Sequence, residues 1–271
     1  MGFRIRVWAG GIALAAMAGA VCAGQSAANP GRTPIVIELF TSEGCSSCPP
    51  VDNWAAWIDR AQPVAGAEVI VLSEHVDYWN SDGWKDPFSS AQYSERQKEY
   101  VQALGLSGVY TPQLVVDGND EMTLQKPADV KRTLDRDAHL EMLPVKVESV
   151  TVTPGQPGAV AGQVEVDATG EKHGGDVYVA VTMRRTLTDV LAGENDGKKL
   201  INVDVVRGLV KVGKLNKGKT FDEPFRATLW PGADAGNVRV VAFVQESGLG
   251  KVVGAAMTEA AGQENQSASL R

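Results

Sequence analysis

The chain has few of the residues from which catalytic and metal sites are usually built: 3 cysteines and 3 histidines among 271 residues. The histidines, His75, His139 and His173, stand far apart, and no His-rich or Met-rich tract accompanies them, so nothing resembles a dedicated metal-carrying segment. Basic residues are outnumbered, 26 Lys and Arg against 33 Asp and Glu, for a formal charge of −7. A cationic face for nucleic acid is therefore lacking, and no nucleic-acid partner is expected. Beyond the N-terminal segment no apolar run approaches the ~20 residues of a spanning helix, so no membrane span is expected in the mature chain. Internal repeats are absent, which excludes a solenoid.

What is present begins with a leader. Arg4 and Arg6 give a positive start, Val7 to Ala20 is apolar and small, and Val21-Cys22-Ala23 offers small residues before Gly24. The apolar run is too short for an anchor. Lipid attachment at Cys22 is the other alternative, but Gly19 and Val21 suit it poorly. Residues 1–23 are thus expected to be a cleaved signal peptide, and the protein to be periplasmic or secreted. Loss of two arginines and no acid takes the formal charge from −7 to −9. It also removes Cys22 and leaves Cys45 and Cys48 alone in an oxidising compartment.

These two cysteines enclose Ser46-Ser47. They follow an apolar run, Ile35–Phe40, that has the character of a buried strand, and precede a helical pattern with Val51, Trp54, Ala55 and Ile58 on one face. A disulfide here closes so short a loop that it is worth only about 2 kcal/mol in the chain-entropy model, against ~3 for fifteen residues. A chain of this length needs no such staple. A reversible redox pair is the better use of the spacing.

A second apolar run, Val69–Leu72, makes a strand–helix–strand unit with parallel strands. An aromatic-rich connection follows, with Tyr78, Trp79 and Trp84, then a polar amphipathic helix over Ala91–Leu104. Thr111-Pro112 leads into Gln113–Gly118, a strand with a turn signal, and a helix from about Pro127 to Leu140 closes the unit. From Pro144 the texture changes to alternating β segments separated by Gly and Pro clusters, which argues for a sandwich of roughly seven strands. The expected fold class is an α/β thioredoxin-like N-terminal domain, residues 33–143, plus an all-β sandwich C-terminal domain, residues 144–259. A disordered tail over 260–271 completes the expectation.

In parallel α/β sheets reactive groups gather beyond the carboxyl ends of strands, which brings Cys45, the segment from Glu74 to Trp79 and Thr111-Pro112 to one site. A proline after threonine, opposite a dithiol, completes the thioredoxin pattern, in which the bond is cis and Pro112 presents substrate backbone. The segments ELFTSEGCSSCPP, SEHVDYWNSDGWKDPFSS, RQKEY and VYTPQLVVDG, with GENDGKKL and DVVR later, resemble those of a family of secreted bacterial thioredoxin-like proteins catalogued only as a domain of unknown function. That resemblance implies a thioredoxin-like fold but no substrate.

The functional expectation is a thiol–disulfide oxidoreductase acting on protein thiols or disulfides of the cell envelope, with no organic cofactor. Cys45 is the attacking and more exposed thiol, Cys48 the resolving one. Glu38, an acid in an apolar strand, is a candidate proton shuttle to Cys48. Thr111, His75, Tyr78, Trp79 and Trp84 are candidate substrate-binding residues. Glu43 puts negative charge near Cys45, and Pro49-Pro50 should hold Cys48 outside the regular helix; both oppose thiolate activation. The alternatives are a copper or zinc module using Cys45, Cys48 and His75, and a non-catalytic binding protein. Intact-mass measurement of protein from the native host should give a chain beginning near Gly24; a mass that retains the leader, or carries lipid on Cys22, would contradict the export reading.

Overall fold

The computed structural model describes residues 26–27, 31–153 and 155–260, so the expected signal peptide, residues 1–23, and the expected tail beyond Ala260 lie outside the described residues. Strand β1, Ser26–Ala27, precedes β2, Thr33–Thr41; helix α1, Pro49–Ala61, leads to β3, Ala67–His75. Helix α2 spans Ala91–Ala103, and β4, Gln113–Val116, pairs with the short β5, Asp120–Met122, ahead of α3, Pro127–Asp137. The remaining strands are β6, Val145–Thr153, β7, Gly158–Asp167, β8, Gly175–Asp189, β9, Lys199–Leu215, β10, Thr220–Leu229, β11, Val238–Gln245, and β12, Val252–Glu259.

The expected fold class is corrected by the sheet topology. The chain is mostly β, with three α-helices among the described residues, and not an α/β thioredoxin-like domain joined to a separate sandwich. One mixed eight-stranded sheet, in the order β12-β11-β8-β9-β3-β2-β4-β5, runs through both halves of the chain, and a four-stranded sheet, β1-β6-β7-β10, accompanies it. The parallel β2–β3 pair forms as expected, with Thr41 beside His75 at its end. The edge of β3, however, is not free. Ser73 pairs with Val205 of β9 in parallel, and its hydroxyl donates to the Val203 carbonyl at 2.7 Å. Unpaired strand edges are costly to leave open, and here the later half of the chain closes one. Strand β9 has no clear signature in the sequence because bulges opposite Val177–Tyr178 and Val181–Thr182 break its alternation.

Alternation within β2 divides the core. Ile35, Ile37 and Leu39 face α1 and α3, together with Val69, Val71, Leu114, Val116 and Val203. Val36 and Phe40 point to the α2 side, where Tyr93 and Tyr100 are buried. The distal half of the large sheet packs on the small one through residues such as Val179, Val181, Val240 and Ala242 against Val147, Val164 and Phe225. The β4–β5 turn also locks the halves together. Asp117 accepts from Val252 N at 2.8 Å, and a side chain at Gly118, which has φ +67°, would come within 2.4 Å of the Gly250 carbonyl.

The deepest link is ionic. Glu38 accepts from Arg96 Nε at 2.5 Å and from its terminal nitrogen at 3.0 Å, and Tyr100 donates to it. Arg96 also donates to Gln245 of β11 at 3.0 Å and lies over the Tyr100, Tyr178 and Phe243 rings. Glu74 is the misfit of this cluster. Its carboxylate is fully buried, 3.6 Å from Arg96, and neither oxygen has a hydrogen-bond partner. Burial, then the neighbouring Glu38 charge, push its pKa well above the usual carboxylate range. A carboxyl whose folded pKa is raised costs stability as pH climbs from the ordinary glutamate range toward that raised value. Glu74→Gln should therefore raise Tm, by ~2–4 °C for each kcal/mol recovered, with a gap to wild type that widens from pH 5 to pH 8. Calorimetric scans across that range check it, and a flat or inverted gap would refute the assignment.

Candidate functional site

The end of β2 delivers the chain into a tight loop that carries the two cysteines to the start of α1. Cys45 and Cys48 form a disulfide with their Cα atoms 5.4 Å apart. Cys48 is the N-cap of α1, at φ −76° and ψ −40°, and its carbonyl accepts from Val51 N at 2.9 Å and Asp52 N at 3.1 Å. Cys48 thus stands just outside the regular helix, as expected, although its own dihedrals are helical because closing those two hydrogen bonds outweighs the pre-proline preference. Pro49 takes the first helical position, where no N–H is needed.

The expectation corrected here is exposure. Cys45 and Cys48 are both 0 % exposed, so neither is the more accessible, and only Ser46 and Ser47 between them face solvent. The cover comes from the β8–β9 connection. Asn195, itself fully buried, donates from its amide to the Glu43 carbonyl at 2.8 Å and the Cys45 carbonyl at 2.9 Å. Glu194 accepts from Ser46 N at 3.1 Å, and hydrogen bonding to Ser46 holds its carboxyl below the usual range. Asn202 of β9 donates to Glu43 Oε1 at 3.0 Å, and Trp84 Nε1 donates to Oε2 at 3.2 Å. Burial, and next the Asp86 charge, raise the Glu43 pKa.

The third expected segment reaches the loop between the two cysteines. Thr111–Pro112 is cis, and the Thr111 carbonyl lies 3.4 Å from Ser47 Oγ. Trp79 Nε1 donates to Thr111 Oγ1 at 2.8 Å, and Gly44 lets Trp79 approach, since a Cβ there would sit 3.1 Å from Trp79 Cβ. Tyr78 donates to Gln97, which in turn donates to the Tyr110 carbonyl at 2.7 Å. Of the candidate substrate-binding residues, Tyr78 is exposed, Trp79 and Trp84 are partly buried, and His75 is fully buried. His75 is therefore a support beneath the site and no part of its surface.

That support is a polar cluster. His75 Nδ1 lies 2.7 Å from Asp86 Oδ2, which also accepts from Glu43 N at 2.8 Å; Nε2 of the ring has no partner. Burial works against a charged imidazole, but Asp86, with Asp52 and Glu43 behind it, raises the His75 pKa. Burial likewise pushes Asp86 upward, yet His75 and the backbone donors bring it below its usual range. Asp52, one turn beyond Cys48, accepts from Thr41 Oγ1 at 2.7 Å and is pushed up to about 7, chiefly by burial. Asp52 was missed in the sequence; its signal is an acid beside Val51 within the buried stripe Val51, Ala55, Ile58.

Glu38 is the counterpart error. Its side chain points to the α2 face, opposite α1, and is held by Arg96 and Tyr100, so it does not serve Cys48. The copper or zinc arrangement does not assemble either: in the disulfide form the sulfurs bond each other and His75 bonds Asp86, and no metal-holding group of three such residues occurs among the described residues.

Fold and site together define a mostly β protein with a buried Cys-x-x-Cys disulfide at a strand-to-helix junction, roofed by a segment from its own later half. The chain belongs to the family described as "Protein of unknown function (DUF1223)", whose model matches residues 36–245. No curated protein matches it. Among solved structures it is similar to the crystal structure of protein AGR_C_4864 from Agrobacterium tumefaciens, at 29% identity and a TM-score of 0.62, over 85% of this chain and 96% of that one. Asn195→Ala would leave the buried Glu43 carbonyl without its donor and the Cys45 carbonyl with only the 3.3 Å bond from Cys48 N. It should destabilise the oxidised protein by about 1–3 kcal/mol and speed reduction of Cys45–Cys48 by dithiothreitol several-fold. Denaturation curves and thiol-release kinetics measure the two effects, and no change in either would remove Asn195 from the site.

Proposed function

We propose that this protein is a thiol–disulfide oxidoreductase of the periplasm or extracellular space, with Cys45 and Cys48 as its redox pair and protein thiols or disulfides as its partners. The observation that carries the proposal is the placement of Asp52. A buried carboxyl of pKa about 7 one helical turn from Cys48 is a proton acceptor suited to a thiol that must ionise to react. A stabilising disulfide has no use for it.

In the reducing direction a Cys45 thiolate attacks one sulfur of a substrate disulfide; the Cys45–substrate bond forms and a substrate thiolate leaves. Cys48 passes its proton to Asp52 and attacks the Cys45 sulfur, restoring the Cys45–Cys48 bond and releasing the second substrate thiolate. Reversal of the same steps oxidises a substrate dithiol. Access to Cys45 requires the Glu194–Asn195 roof to lift, which makes exchange slower than at an open dithiol. The Tyr78, Trp79 and Thr111 surface alongside is where a substrate chain would lie. The relationship to thioredoxins proposed here is confined to this arrangement of dithiol, helix and Thr-Pro segment. Burial of both cysteines also supports a second reading, a binding protein whose disulfide only braces the loop under Asn195.

Exchange kinetics separate the two. With a model protein disulfide, the rate should rise with pH through about 7 as Asp52 ionises, and Asp52→Asn should slow the resolving step by about 10²-fold and abolish that inflection. Cys48→Ala in cells should accumulate mixed disulfides at Cys45. A reduced protein that exchanges with no disulfide substrate and yields no mixed disulfide would sink the oxidoreductase reading and leave the bracing role.

A further inference from the structure

The two ends of α1 differ in character. Cys48 caps the first, whereas a cleft of about 470 Å³ opens beside the last turn, lined by Arg60 of α1, Arg184 and Arg185 of β8, and Arg239 of β11, with Asp59 and Asn237. Four guanidiniums around one cleft repel one another, so the arrangement needs counter-charge. The protein supplies only part of it. Arg239 donates to Asp204 at 2.5 Å and to Asp59 at 2.9 Å, and Arg184 pairs with Glu259 at 3.0 Å. The side chains of Arg60 and Arg185, both exposed, have no hydrogen-bond or ion-pair partner among the described residues. A last-turn arginine complements a helix dipole, which accounts for Arg60 but not for Arg185.

The cleft is also built rather than incidental. Arg239 is buried, with only 8 % of its side chain accessible, and its fork is fixed by three carboxylates, Asp59 and Asp204 on one terminal nitrogen and Glu259 at 3.5 Å on the other. Asn237 grips the Arg185 backbone from both sides, accepting from its N–H at 3.0 Å and donating to its carbonyl at 2.9 Å. The Nε atoms of Arg184 and Arg239 are buried donors with no acceptor. Both atoms are closed to solvent, so the guanidiniums open to a ligand in the cleft are those of Arg60 and Arg185.

We propose that this cleft binds a small anion of the phosphate class, a phosphate ester or diphosphate, held by Arg60 and Arg185 above the anchored Arg184 and Arg239. Guanidinium forks match phosphate oxygens in pairs, and arginine holds such groups with more directional bonds than lysine. Asp59 in the lining opposes an anion, but its charge is already engaged by Arg239. The site is independent of the dithiol chemistry and stands whether or not that chemistry is correct.

Calorimetric titration of the oxidised mature chain with inorganic pyrophosphate, against sodium chloride of matched ionic strength, tests it. Saturable binding is expected for pyrophosphate and none for chloride. Arg60→Glu/Arg185→Glu should weaken it at least tenfold with an unchanged unliganded Tm. Arg185→Gln alone, a milder change at an exposed position, should weaken it several-fold. Adenosine diphosphate in place of pyrophosphate distinguishes a nucleotide from a free phosphate as the source of the group. Absence of saturable pyrophosphate binding, or equal affinity in wild type and both variants, would overturn the proposal.

Discussion

Arg96 is the constraint around which the two halves of the chain are organised. Its guanidinium is buried between Glu38 of β2, Tyr100 of its own helix and Gln245 of β11, with the Tyr178 and Phe243 rings against it. A charge taken out of water this completely is tolerable only when it is paired and hydrogen-bonded, and its partners come from both halves of the sequence. That requirement, with β9 closing the edge of β3, makes one continuous sheet where two separate domains were expected. Removing the arginine would take the ion pair from Glu38 and the nearest cation from Glu74, so the cluster helps to specify the arrangement.

The same continuity decides the surroundings of the disulfide. Because β8 and β9 extend the sheet beyond β3, their connection arrives above the Cys45 loop, and Asn195 and Glu194 use that position to tie down backbone groups which an isolated strand–helix unit would leave to water. Below the loop the opposite problem is solved. His75, Asp86, Asp52 and Glu43 are ionisable groups in a space closed to solvent, and each shifts its neighbours: Asp86 favours a charged His75, and burial favours a neutral Asp52. On the function proposed above, the dithiol would be protected at rest by the Glu194–Asn195 segment and would exchange protons with Asp52 when it reacts.

Helix α1 connects this region to the arginine cleft. Its apolar stripe is fixed on β2 and β3, so its first turn presents Cys48 and Asp52 while its last turn presents Asp59 and Arg60. At its C-terminal end Gln62 takes a left-handed conformation at φ 44°, and its amide bonds both backbone groups of Val69. Helix position is thus set at both ends by polar contacts and along its length by packing, which keeps the two regions in a constant relation.

Local patterns in the amino-acid sequence were sufficient for the strands at Ile35–Phe40 and Val69–Leu72, the intervening helix, the parallel pairing and the approach of Thr111 to Ser47 of the cysteine loop. Each rests on residues close in sequence or on a rule of chain connection. Other features have no local signature. Alternation shows that Glu38 and Leu39 point to opposite faces but not which face carries α1, and the sequence reading puts Glu38 on the wrong one. The bulges that hide β9 and the 150 residues between Asn195 and Cys45 put the roof of the site beyond any short-range pattern. Sequence by itself determined where the thiols stand on the chain, because strand, turn and helix are dictated by neighbours. Only tertiary structure decided what surrounds them, because burial and pairing between distant side chains exist once the sheet has closed and not before.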